Sequence, residues 1–156
     1  PFFNETRQFG DYLRQALAVV GIDATIVSND TPAHIKAVYT DHDFDITVAT
    51  PVYRGDPAIS TTILFQSGLP AGVPFSNQYG YVNPEVDSLI KQAAATIDDA
   101  ERVRLYRAFQ KLVVDDVALI NVAEFSFITV ARDTVANVSN NPRWAVSNWA
   151  DTGFTG

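Results

Sequence analysis

Between Asn83 and Val117 the sequence specifies two amphipathic helices almost back to back, and any fold of this chain must give both an apolar surface to lie on. The first opens N-P-E. Asn83 is placed to cap, Pro84 suits the first helical position, where no backbone N–H is needed, and Glu85 favours the positive end of the helix. Val86, Leu89, Ile90, Ala93, Ala94 and Ile97 then recur at helical spacing. The second opens at Asp98, and Glu101 three residues later completes a capping box in which Asp replaces the usual Ser or Thr. Its apolar side is Leu105, Tyr106, Phe109, Leu112, Val113 and Val117, while Arg104, Arg107, Lys111 and Asp115 face away.

Upstream, Phe9, Leu13, Ala16, Leu17 and Val20 predict a helix over 5–20, ended by Gly21-Ile22, a glycine suited to a left-handed C-cap. Ala24–Ser28 is a short β-rich run. Thr31-Pro32 offers an N-cap and a first-turn proline for a short helix through Tyr39, and Asp45–Thr50 is the next strand. This order predicts an α/β fold, with helices layered on a sheet whose strands are joined by right-handed crossovers. From Pro51 to Asn83 glycines and prolines predict a long irregular segment with one short helix after Asp56-Pro57. Phe65, Leu69, Phe75, Tyr79 and Tyr81, interleaved through it, predict that it is ordered. Beyond the second helix, A-L-I-N-V-A-E-F, S-F-I-T-V-A-R and W-A-V-S-N-W read as short strands separated by turns.

The 156 residues, 47% of them apolar, suit one globular domain. With 18 acidic against 11 scattered basic residues the formal charge is −7, so a phosphate backbone meets net repulsion and nucleic acid is excluded as a partner. No apolar run approaches the roughly 20 residues needed to span a bilayer. P-F-F-N-E-T-R has neither the basic region nor the apolar core of a signal peptide. The absence of cysteine removes disulfides and thiolate chemistry. The absence of methionine, with Pro1 already on the approach to a helix, predicts a piece of a longer protein.

Little catalytic chemistry can be assembled. His34 and His42 are too few for a triad with supporting groups or a His-rich metal site. Asp41, Asp43 and Asp45 have the early spacing of a calcium loop, but Ile46 and Val52 stand where its glycine and glutamate belong. Asp98-Asp99 and Asp115-Asp116 lie at helix ends, where capping and solvation account for them. The expectation is a non-catalytic protein with no metal and no cofactor. The binding candidates lie in V-Y-R-G-D-P and in the aromatic loop that follows. Residues leaving a strand on an irregular loop occupy the crevice where open α/β sheets take ligands. Tyr53 either stacks on a ligand or packs on the core. Arg54 either pairs with a carboxylate or is solvated. Asp56 either receives an ammonium or caps the short helix started by Pro57. Asn77, Tyr79 and Tyr81 carry the same alternatives.

The order of these signals resembles the C-terminal portion of the family 5 extracellular solute-binding proteins, the receptors of peptide, opine and nickel ABC importers. The resemblance is carried by G-I-D-A-T-I, D-F-D-I-T-V, G-D-P, G-Y-V-N-P-E-V-D-S-L-I and D-D-A-E-R-V-R-L-Y-R-A-F-Q-K-L-V-V-D-D, with A-L-I-N-V behind it. It implies a partial lobe of the type II periplasmic-binding-protein kind, an α/β fold with layered helices on a mixed sheet. Residues 1–134 would form the C-terminal ligand-binding lobe, incomplete on its N-terminal side, and residues 135–156 a tail returning toward a first lobe outside this chain. The implied partners are a peptide-like solute, the importer's membrane subunits and that first lobe, and the implied location is periplasmic. Exposure of an interlobe face would leave 135–156 partly disordered or promote self-association. Peptide-binding members that hold a free amino terminus are similar to one another in an acidic residue shortly before G-D-P, where this chain has Val52-Tyr53-Arg54. That departure leaves the solute open. Similar domains also occur fused to DNA-binding regions, so a ligand-sensing regulatory module is the alternative function.

Overall fold

The computed structural model describes residues 4–51, 55–124, 130–138 and 149–155. Its centre is the helical hairpin expected from the sequence, α3 (Pro84–Ala95) and α4 (Asp99–Asp115). As read from the sequence, Asn83 accepts the Glu85 and Val86 N–H groups at 3.0 and 3.3 Å, and Asp98 accepts those of Ala100 and Glu101 at 2.9 and 3.1 Å. The capping box does not close. Thr96 Oγ1 takes the Asp98 N–H at 3.2 Å, and the Glu101 carboxylate turns to Arg104 instead, one turn along the exposed face. A neighbouring guanidinium offers two charge-assisted donors where the cap offers one neutral N–H.

Val86, Ile90 and Ala93 of α3 face Leu105, Phe109 and Val113 of α4, and Val86 is wholly inaccessible at 0%. Ile97, assigned to the same stripe by its spacing, is 100% exposed because α3 ends at Ala95 and the helical period no longer applies. Val117 likewise lies beyond α4 and is exposed. It holds φ +51°, a left-handed position costly for a β-branched residue, while the Val117 and Ala118 N–H groups return to the Val114 and Val113 carbonyls.

Across this hairpin lies the long segment after Gly55, ordered as expected. It carries two single 3₁₀ turns, Pro57–Ile59 and Thr62–Leu64, and the second delivers Leu64 and Phe65 into the core. The Phe65 ring meets Phe109 edge-on at 5.5 Å and Tyr81 at 6.2 Å, so one aromatic cluster joins loop, α4 and the approach to α3. Such pairs contribute about 0.5–1.5 kcal/mol each beyond their burial.

Toward the N-terminus, α1 (Asn4–Val19) matches its expected span and ends with the Gly21 and Ile22 N–H groups returning to the Ala18 and Leu17 carbonyls, Gly21 at φ +84°. Its stripe of Phe9, Leu13, Ala16 and Leu17 is only half-buried. The short helix α2 (Thr31–Ile35) is capped by Asp30, whose carboxylate accepts the Ala33 N–H at 2.9 Å. Thr31, expected as the cap, is therefore the first helical residue and Pro32 the second. From Lys36 to Thr40 the helix widens into a π turn that buries Val38 and Tyr39.

The expected strands at 24–28 and 45–50 have no strand partner among the described residues, and Ile26, Val27 and Ile46 are exposed. A β-rich run becomes a strand only when a neighbour accepts its backbone hydrogen bonds. The one ladder among the described residues pairs β1 (Val135–Ala136) antiparallel with β2 (Gly153–Phe154), Val135 opposite Phe154 and Ala136 opposite Gly153. Both strands belong to the expected tail. The expected strand S-F-I-T-V-A-R falls largely, and W-A-V-S-N-W almost wholly, outside the described residues.

Candidate functional site

The residues singled out in the loop are spread along one continuous segment that is pinned at several points to the helices beneath it. Asp56 caps the first turn, accepting the Ala58 N–H at 2.8 Å, and receives Arg102 Nη2 of α4 at 2.7 Å from each carboxylate oxygen. Those donors, the Ala58 N–H first and Arg102 second, hold the Asp56 carboxyl below its ordinary range. Ser60 Oγ and Thr62 Oγ1 donate to the Asp56 and Pro57 carbonyls, which locks the same corner. Further along, the Ser67 N–H and hydroxyl both donate to the Asp87 carboxylate in the first turn of α3, the N–H at 2.9 Å.

Asn77 works inward. Its amide nitrogen donates to the Gln66 and Tyr81 carbonyls at 3.2 and 2.7 Å, and its oxygen accepts the Tyr81 N–H at 3.0 Å. Both amide hydrogens and the oxygen thus close the loop upon itself. Tyr81 donates its hydroxyl to Asp116 Oδ2 at 2.6 Å, and Asn83 Nδ2 donates to the same oxygen at 2.9 Å. The residue that ends α4 therefore ties down the two residues that introduce α3. Burial first, and the Asp116 contact second, push the Tyr81 phenol up to about 12; the Tyr81 and Asn83 donors draw Asp116 down. Tyr79 is half-buried. Tyr53 and Arg54 lie outside the described residues.

These shifts fix a pH dependence. Tyr81, whose folded value is raised from 10.0 to about 12, stabilises the fold fully below pH 10.0 and less as pH rises toward 12. Asp116, lowered from 3.8, stabilises it above pH 3.8 and less as pH falls through its folded value. Urea unfolding midpoints should therefore drop on both sides of neutrality. Tyr81→Phe should remove part of the alkaline loss, and Asp116→Asn part of the acid loss. Unchanged pH profiles in both variants would dissolve this link between the helix ends.

A second junction connects the π turn to the loop. The Gly72 N–H donates to the Tyr39 carbonyl at 2.6 Å, and a Cβ on Gly72 would sit 3.1 Å from Thr40 Oγ1 at φ +79°, so the close crossing requires glycine. The His42 ring lies 3.1 Å from the Gln78 carbonyl through Nδ1, which must be the protonated nitrogen, since a carbonyl only accepts. Gln78 is 2% exposed, and its Oε1 has no partner. Burial raises the Tyr39 phenol.

Sequence reasoning missed Arg102, Asp87 and Asp116 as partners of the loop. On α4, Arg102 has no spacing that separates it from Arg104 and Arg107. Asp116 carries the ordinary mark of a helix end. No group of His, Cys, Asp and Glu that could hold a metal occurs among the described residues, and no helix there is long and apolar enough to cross a membrane.

Comparison with known proteins gives a match of 32% identity over 105 residues to the probable D,D-dipeptide-binding periplasmic protein DdpA of Escherichia coli (strain K12). The match takes in 64% of this chain and 19% of that protein, so the chain spans less than a fifth of the relative's length. No family model matches the chain. No solved structure matches it either. The similarity supports the family 5 solute-binding type; by its name, the relative is a binding protein of the periplasm.

Proposed function

We propose that this chain is part of the C-terminal lobe of a periplasmic solute-binding receptor that delivers a peptide-like solute to an ABC importer, binding it by lobe closure without chemical conversion. The observation that carries the proposal is the 105-residue match to a dipeptide-binding periplasmic protein. It agrees with the resemblance drawn from the motifs themselves. The unpartnered runs at 24–28 and 45–50 would be sheet strands completed by the rest of a longer receptor, giving the layered α/β lobe. Solute contact would fall to Tyr79, Tyr53 and Arg54. Asp56, Asn77 and Tyr81, whose polar atoms are engaged internally, would support the binding edge.

Thermal-shift screening of the full-length protein against peptides, opines, sugars and metal chelates tests this. A ligand at 100 times its dissociation constant stabilises by about 2.7 kcal/mol, an easily read shift. Stabilisation confined to peptides is the expected result. Stabilisation by none of these classes, together with chemical turnover of one of them, would contradict it.

A further inference from the structure

Two helices of this chain end in the same motif, and only one of them has the residue that the motif favours. At the close of α1 the Ile22 N–H returns to the Leu17 carbonyl at 3.0 Å and the Gly21 N–H to the Ala18 carbonyl at 3.1 Å, with glycine in the left-handed position. At the close of α4 the Ala118 N–H returns to the Val113 carbonyl at 3.2 Å and the Val117 N–H to the Val114 carbonyl at 3.1 Å, the same pair of bonds, but valine holds the left-handed position at φ +51°. That conformation is disfavoured for a side chain with a Cβ by a factor on the order of ten. Packing of the valine itself does not offset this, because Val117 is 65% exposed. What fixes it lies on either side. Before it, Asp116 Oδ2 accepts the Tyr81 hydroxyl at 2.6 Å and Asn83 Nδ2 at 2.9 Å; after it, Ala118 and Leu119 pack against the core. From residue 120 to 124 the chain is exposed, so no burial beyond Leu119 holds the turn. A strained residue persists only where its flanks over-determine it, and here one flank is a clamp reaching back to the loop. We propose that Val117 is a latched hinge. With Tyr81 and Asn83 on Asp116 it is held left-handed and the chain leaves α4 toward the core; with that clamp open it relaxes and the chain from Ala118 onward takes another course. The aromatic loop thereby sets the direction of residues 118–124. Nothing in this hinge depends on the receptor function proposed above.

The test reads the hinge from a distance. Wild type, Tyr81→Phe, Val117→Gly and the double variant are compared as full-length proteins by hydrogen-exchange protection of the Val117 and Ala118 amides, the two that close the turn. Tyr81→Phe keeps the ring and removes one donor from Asp116, 35 positions away. Protection of both amides should fall about tenfold, as loss of a charge-assisted hydrogen bond implies, while the Phe109 amide in the middle of α4 keeps its protection. Val117→Gly should raise protection at the same two positions about tenfold, because glycine holds the left-handed conformation without strain. The double variant should return near wild type. Unchanged protection in Tyr81→Phe overturns the proposal, since the clamp then has no hold on the turn. An equal loss at Phe109 also overturns it, because the opening is then that of the whole helix. Unchanged or lower protection in Val117→Gly overturns it as well, since valine then stores no strain for the clamp to restrain.

Discussion

Phe109→Ala should lower the free energy of unfolding by about 3–5 kcal/mol, a large share of the 5–15 kcal/mol that an ordinary domain possesses. Phe109 is 4% exposed and sits where three parts of the molecule meet: α3 through Ile90 and Val86, the loop through Leu64 and Phe65, and its own helix through Val113. Its ring receives Phe65 edge-on at 5.5 Å, so truncation leaves a cavity and also removes an aromatic pair. The loss should not stay within the hairpin. Phe65 anchors Tyr81 as well, and the loop between Thr62 and Tyr81 should exchange its amides faster in the variant even where the helices persist. Urea denaturation with residue-resolved exchange reads both effects. A loss below about 1 kcal/mol would mean that the loop and hairpin are not one packed unit.

The second large effect concerns a residue that the sequence offers as a ligand contact. Asn77→Ala should cost about 2–3 kcal/mol, because it strands the Gln66 carbonyl and both backbone groups of Tyr81 in a partly buried corner. Asn77→Asp should be worse. It keeps the acceptor for the Tyr81 N–H but presents a second oxygen, charged, to two carbonyls where a donor is required. A residue serving only the solute would behave in the opposite way, weakening binding while leaving the unliganded protein as stable as before. Unfolding midpoints without ligand therefore separate the two roles, and unchanged stability in Asn77→Ala would return this residue to the list of ligand contacts.

Local chemistry explains what could be read in advance. Asn83-Pro84 and Asp98 name helix starts because the groups involved lie within three residues of one another, and α3 and α4 begin where those signals place them. The Gly21 ending of α1 is equally local. What could not be read depends on partners remote in sequence. Asp56 and Arg102 are separated by 46 positions, and Tyr81 and Asp116 by 35, so no spacing rule connects them. Ile26, Val27 and Ile46 show the same limit from the other side. Their residue types favour strands, but a strand exists only with a neighbour, and among the described residues they have none. In the segment N-Q-Y-G-Y-V-N-P the aromatic and amide groups suggest a binding surface by composition. Asn77, Tyr81 and Asn83 instead spend their polar atoms on the loop and the helix ends.

The proposed receptor function is tested most directly by titration with peptides. Isothermal calorimetry of the full-length protein with a panel of short peptides should give saturable one-site binding of at least one of them, recovered with its peptide bonds intact. No binding of any peptide, or recovery of the bound peptide as free amino acids, would contradict a non-catalytic receptor of peptide-like solutes.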